Sequence, residues 1–361
     1  MSSDWRELTA EQRRIMLDAT QLYEHYLDLL QQNRELRGGM FWKRVKRKEY
    51  LVRSIDRNGH VRSLGRRSRE TEAIFREFAN KKRDLKSRLA SVADELRRRA
   101  KFCVAAGVNR VPTSPANVIR VMDSAGLLGP HLFVLGSHAL YAYEAAAGVH
   151  LKEGLLQTDD LDTVIDMSAG LELGEPIRTK GFLGLLRSAD KTFRPAGKRS
   201  FRAINAKGFM VDLLRPISEG AATTNLPSIG LGKDLIADPL EGLQWLSMIP
   251  KMIQIVIAGD GFPLRLVVPD ARVYALQKLW ISLRPDRDPI KRKRDFRQGE
   301  IVGQLAMQYL NLSFDNAEVK RLPVELTRTI PGLLGRLRVR GKRTTGKTPP
   351  GFSADPEDSS Q

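Results

Sequence analysis

Apolar residues recur at helical spacing along the first third of the chain. Ile15, Ala19, Leu22, Tyr26 and Leu29 alternate steps of four and three, which lines them along one face of a helix. Arg37, Gly38 and Gly39 end that pattern. A longer stretch repeats it with Phe75, Phe78, Leu85, Leu89, Val92 and Leu96, and its other face carries Lys81, Lys82, Arg83, Lys86, Arg88 and Arg97 to Arg99. Two such helices can pack as an antiparallel pair. The period changes between them. Trp42 and Val45, then Tyr50 to Ile55, then Val61 to Leu64 read as strands, and Asn58-Gly59 supplies the pair that a tight hairpin turn favours.

Further along, Pro112 to Pro115 reads as a linker and helix start, with Ser114 as N-cap and Gly126 as the stop. Residues 116–218 alternate helical and extended patterns. Residues 219–340 read as mainly helical after a Gly/Pro-rich passage at 230–239. From Gly341 the chain is poor in apolar residues, and the tail 341–361 is expected to be disordered. The expected fold is α+β: a basic helix–hairpin–helix region (1–115), a core with a small mixed β-sheet (116–218) and a helical C-terminal region (219–340).

Composition adds a partner. The chain has 361 residues, of which 42% are hydrophobic, enough for a sizeable core. One cysteine, Cys103, rules out a disulfide framework and reads as an inert core thiol. Asp4, Arg6 and Glu7 leave no apolar stretch for a signal peptide, and Lys251 interrupts the most apolar run. No run reaches the roughly 20 residues of a membrane span. A soluble, cytoplasmic protein with no membrane partner is expected. The net charge is +18, and residues 1–115 hold 27 basic against 15 acidic residues, two-thirds of the excess. That points to a polyanion, nucleic acid first. Lys43, Lys46, Arg47, Lys48, Arg53 and Arg57 stud the hairpin with Trp42 and Tyr50 interleaved, a pattern that suits a phosphate backbone with stacking sites. The same pattern also fits a solvated hairpin that packs its aromatics inward.

The chemistry sits in the middle of the chain. His131 to Leu135 is a short buried-strand pattern, Gly136-Ser137 follows at once, and His138 to Ala147 is a strong helix former. A strand, a Gly-Ser turn and a helix start make an anion site, although many plain turns contain Gly-Ser. His138 would be structural or touch a phosphate. In Thr158-Asp159-Asp160-Leu161-Asp162, an extended backbone puts Asp160 and Asp162 on one face. Paired carboxylates suit a divalent cation, Mg²⁺ or Mn²⁺, unless they are merely an acidic loop at a strand start. Asp166 has the same parity. Asp212 lies in an apolar strand of the hairpin around Asn205 to Gly208, where a lone acid is costly unless paired or metal-bound. If the two strands are neighbours, the three acids converge on a site for attack on a phosphate. Lys278 sits mid-way along an apolar helix, where it snorkels or meets a phosphate.

Gly136-Ser137, Asp160-x-Asp162 and an apolar-flanked Asp212, in that order, resemble the DNA-polymerase-β-type nucleotidyltransferase superfamily. The fuller stretch resembles a bacterial nucleotidyltransferase branch and the abortive-infection and toxin nucleotidyltransferases. The resemblance covers about residues 130–300. It implies that Gly136 and Ser137 hold a nucleoside triphosphate (NTP), and that Asp160, Asp162 and Asp212 are catalytic and bind Mg²⁺ or Mn²⁺. It also implies that Lys278, and with it the pair Arg294-Asp295, sits beside the triphosphate. The expected activity is transfer of a nucleoside monophosphate (NMP) from NTP to an acceptor, tRNA-like RNA first, with release of pyrophosphate. The rivals are a nucleic-acid-binding protein with an inactive transferase-like core, and a toxin or defence enzyme acting on protein or a small molecule.

Overall fold

The computed structural model describes residues 4–36, 38–54, 60–165, 175–217 and 234–344. Strand β1 (Trp5–Glu7) leads into α1 (Ala10–Glu35), whose first turn is closed by a capping box between Thr9 and Gln12. Three strands follow, β2 (Met40–Val45), β3 (Lys48–Ser54) and β4 (Val61–Arg66), and then α2 (Arg69–Ala105), capped by Ser68 and Thr71. The two helices pack as an antiparallel pair. Arg99 near the end of α2 meets Asp18 near the start of α1 at 3.1 Å, and Gln12 Nε2 donates to the Ala106 carbonyl.

The expected hairpin is a three-stranded antiparallel sheet in the order β2-β3-β4. Its β2–β3 turn falls at Lys46-Arg47, both in the left-handed region (φ 44° and 67°), the backbone a two-residue hairpin turn requires. Arg57 and the Asn58-Gly59 turn lie outside the described residues.

The core begins with α3 (Thr113–Ser124), which Gly126 ends at φ 76°. The helix opens earlier than expected, with Pro112 rather than Ser114 at the N-cap place and no side-chain cap, and the preceding residue, Val111, bridges to Ala258. Then come β5 (Leu132–Val134), a 3₁₀ turn at Gly136–Ala139, α4 (Leu140–Ala147), β6 (Val149–Leu151), α5 (Glu153–Leu156) and β7 (Asp160–Ile165). Helix α6 (Glu175–Ala189) is broken at Gly181, after which come β8 (Arg194–Pro195), β9 (Arg202–Ile204), β10 (Met210–Pro216) and β11 (Asp238–Leu240). The mixed sheet runs β5-β7-β10-β9-β8, with β11 also paired to β10. Strand β10 is parallel to β7 and antiparallel to β9, and Val211 and Leu213 are fully buried in it.

The C-terminal region is less purely helical than its sequence suggests. An antiparallel hairpin, β12 (Met252–Ile257) and β13 (Pro263–Val268), precedes α7 (Ala271–Ser282) and α8 (Pro289–Gln308). Short apolar runs read alike as strand or buried helix, and the turn at Gly259 to Gly261 decides for strand. Helices α9 (Ala317–Lys320), α10 (Val324–Thr327) and α11 (Ile330–Thr344) close the fold. Helix α11 continues past Gly341, and residues 345–361 lie outside the description. No helix among the described residues is long and apolar enough to cross a membrane.

Candidate active site

Strands β7 and β10 lie side by side in parallel, and their register sets Asp212 directly opposite Asp162 and Met210 opposite Asp160. Residues two apart on a strand share a face, so Asp160, Asp162 and Asp212 point to one side of the sheet. Each offers a carboxylate oxygen within 4.8 Å of the other two. Thr163 ties the strands further by donating its hydroxyl to the Asp212 carbonyl at 2.7 Å. Asp166 lies outside the described residues.

Gly136 sits against this cluster at φ 63°, and any Cβ there would collide with Asp162 Oδ2. The Leu135 amide donates to the Asp162 carbonyl, and the Tyr274 hydroxyl donates to the Gly136 carbonyl, both at 2.9 Å. Buried Ser137 accepts a hydrogen bond from Gln298 Nε2 at 3.0 Å, and its own hydroxyl proton has no acceptor among the described residues. The Gly-Ser turn, the acids and α8 thus form one connected unit.

The acids are not electrostatically equal. Burial, then the neighbouring Asp160, push the Asp162 carboxyl up to about 7, against the pull of Lys278. Asp212 is buried and answered by Arg202, which stands opposite it on β9 and donates through Nε and Nη2, each at 2.6 Å. That bond in turn raises the Arg202 guanidinium above its ordinary value. Thr158 donates its hydroxyl to Asp160. Burial depresses His138 to about 4, and its Nδ1 has no partner among the described residues.

Two clefts flank the acids. On the Asp162 side, a cleft of about 310 Å³ is lined by Gly136, Asp162, Lys278 and Arg287, with Trp280 and Ile281 as an apolar wall. Lys278 is buried there and donates to Asp295 at 2.7 Å, while Arg287 donates to the other Asp295 oxygen at 2.7 Å. Burial alone would raise the Asp295 carboxyl; Lys278 and then Arg287 hold it below its usual range. The pair can meet because α7 and α8 pack closely at Gly299, where a Cβ would press on the Ala275 carbonyl at 2.9 Å. On the Asp160 side, a larger cleft of about 750 Å³ is lined by His138, Asp160, Lys291 and Arg294. Lys278 and Arg294 therefore line different clefts.

The cations of the basic N-terminal region divide by their partners. On α2, Lys81 pairs with Glu77, Arg98 with Glu95, and Arg99 with Glu95 and Asp18. On the sheet, Lys43, Arg44, Lys46, Arg47 and Lys48 are exposed and meet no carboxylate among the described residues. Arg53 faces α2, with its guanidinium 5.6 Å from the Phe78 ring and donating to the Glu35 carbonyl. Trp42 packs inward on Phe75 under Arg67.

Arg202, Tyr274 and Gln298 belong to this site, and the sequence gives none of them a role. Asp295, the acid that follows the basic run Lys291 to Arg294, is expected beside the triphosphate as half of the Arg294-Asp295 pair; here it instead anchors Lys278 and Arg287.

Comparison with known families finds a match over residues 114–322 to a family described as Nucleotidyltransferase. Neither curated proteins nor solved structures yield a match.

Proposed function

The chain belongs to the nucleotidyltransferase family, and from that premise we propose that it is a metal-dependent enzyme of the polymerase-β type that moves an NMP from NTP to an RNA acceptor. The observation that carries this is the convergence of Asp160, Asp162 and Asp212 within 4.8 Å beside the Gly136-Ser137 turn.

The three carboxylates fit a hard divalent cation. They are clustered oxygen donors, and a carboxyl held up to about 7 by burial and a like-charged neighbour is relieved by a cation. Asp160, Asp162 and Asp212 would hold Mg²⁺ or Mn²⁺, which when bound offsets the negative charge of the reacting phosphate.

The protein supplies the rest. The narrower cleft takes the NTP: the Gly136 backbone approaches closely, Ser137 donates its hydroxyl proton, and Lys278 offers charge to the triphosphate. Trp280 and Ile281 give the base an apolar wall. The wider cleft on the Asp160 side admits the acceptor, with Lys291 and Arg294 placed for its phosphates. Nucleotide and acceptor then reach the acids from separate clefts, one lined by Asp162 and the other by Asp160. The acceptor oxygen bonds to the α-phosphorus, the bond to the bridging oxygen of pyrophosphate breaks, and the hydroxyl proton leaves by way of Asp212. An RNA acceptor is favoured by the exposed cations of the N-terminal sheet, which meet no carboxylate among the described residues.

The test incubates the full chain with each α-labelled NTP, Mg²⁺ or Mn²⁺, and total cellular RNA or protein. Label is expected in RNA and lost in Asp212→Asn. Transfer that survives Asp212→Asn would overturn the site, and label confined to the protein fraction would overturn the RNA acceptor.

A further inference from the structure

The N-terminal sheet shows two different faces. Trp42, Leu51 and Gly65 stand opposite one another across the three strands, on the side of α2: Trp42 packs on Phe75, and a Cβ at Gly65 would touch Thr71 at 3.4 Å. Side chains alternate along a strand, so the next row, Lys43, Tyr50 and Arg66, projects from the opposite face. Lys43 and Arg66 are exposed and Tyr50 is half-buried between them. Neither cation has a carboxylate partner among the described residues. The adjoining row, Val45 and Lys48, is also exposed and leads into the Lys46-Arg47 turn.

Three features separate this face from an ordinary solvated surface. First, α2 balances many of its cations with its own acids one turn away, whereas this face does not. Second, Lys46 and Arg47 hold left-handed backbone that glycine or asparagine adopts at lower cost; each costs on the order of 1 kcal/mol there. Third, an aromatic ring stands between two cations whose strands are about 10 Å apart.

We propose that this outer face is the platform that holds a single-stranded RNA acceptor, with a base stacked on Tyr50 and the flanking phosphates met by Lys43 and Arg66. The charge calls for a polyanion, and the ring calls for a base with a free π-face. A duplex offers phosphates but keeps its bases stacked inside, so it can use the cations and not Tyr50. The proposal rests on the RNA-acceptor reading above and is measured separately from it.

Binding of a fluorescent 12-nucleotide RNA to the full chain, without NTP or divalent metal, tests it, with the same sequence as single-stranded DNA and as duplex RNA. Single-stranded RNA is expected to bind at least ten-fold tighter than the duplex and tighter than the DNA. Tyr50→Ala is expected to weaken it five-fold or more while Tyr50→Phe retains it. Lys43→Gln with Arg66→Gln should lower the salt slope by about 1.4, two single-strand phosphate contacts. Arg88→Gln on α2, whose partner is Asp84, serves as the surface control and should leave binding unchanged. Duplex or DNA binding as tight as single-stranded RNA, or an unchanged slope, would overturn the platform, as would Tyr50→Ala binding at full strength with an unaltered circular dichroism spectrum. If the platform binds RNA but label enters only another acceptor, the acceptor reading fails and the surface stands. If RNA is labelled equally well by the sheet variants, the reverse holds.

Discussion

Arg202 and Asp212 face each other across β9 and β10 and share two charge-assisted hydrogen bonds of 2.6 Å. The cation thus answers the carboxylate at the same atoms that a divalent ion would use. Replacing it leaves a buried acid unanswered, which costs roughly 1–3 kcal/mol for a pair with one partner still a third exposed. Arg202→Ala is therefore expected to lower the metal-free melting temperature by several degrees. Saturating Mn²⁺ should recover more of that loss than of a comparable loss elsewhere, because the ion supplies the missing positive charge. Thermal melts with and without Mn²⁺ check this. An equal deficit in both conditions would place the metal away from Asp212.

Gly136 tests the close approach of backbone to acid. An alanine there adds a left-handed backbone penalty of about 1 kcal/mol and drives a methyl into Asp162. Gly136→Ala is expected to lose Mn²⁺ and NTP affinity by ten-fold or more, and to lose more stability than Gly154→Ala, where a Cβ meets nothing within 4 Å. Calorimetric titration of both variants gives the comparison; equal metal affinities would separate the glycine from the acid cluster.

Lys278 and Asp295 divide charge from placement. Lys278→Met removes the cation and should weaken binding of a non-hydrolysable NTP analogue 10- to 100-fold, the usual loss for a charge-assisted contact of about 1.5–3 kcal/mol. Asp295→Asn keeps the cation but loosens its anchor, so it should weaken NTP binding less. Its cost should appear instead in stability, because Lys278 and Arg287 lose their shared partner. Equal losses of NTP affinity in the two variants would contradict this division.

Legibility followed the range of the interaction. Asp160 and Asp162 stand out as paired carboxylates on one strand face, and Asp212 because an acid amid apolar strand residues conflicts with burial; both signals are visible locally. Their meeting point is not local, since it depends on β7 and β10 being neighbours in parallel register. Arg202 was invisible for that reason: it is one arginine among many until β9 is set against β10. Asp295 differs, because its partner Lys278 belongs to another helix and Gly299 governs their approach. The turn at Lys46-Arg47 is hidden in the sequence because left-handed backbone at lysine and arginine is rare, and Asn58-Gly59 offers the commoner turn signal nearby. The β12–β13 hairpin escaped because continuous apolar residues carry no period.

Asp162 is expected to set the pH dependence of metal binding. Its carboxyl is up at about 7 in the fold, against an ordinary value of 3.8. Between those values the unfolded chain has lost the proton and the folded chain keeps it, so this group's contribution to stability falls as pH rises through the window and levels off above about 7. A cation needs the ionised form. Mn²⁺ affinity is therefore expected to climb with pH, by up to ten-fold per unit below about 7, and to flatten above it. Binding at pH 6 should release close to one proton per site, and binding at pH 8.5 almost none. Stabilisation by saturating Mn²⁺ should grow over the same interval, because the ion favours the ionised carboxylate that the metal-free fold resists. Titration calorimetry in two buffers of different ionisation enthalpy counts the protons directly. Asp162→Asn should abolish both the release and its pH dependence, and an unchanged proton count in that variant would move the titrating group elsewhere.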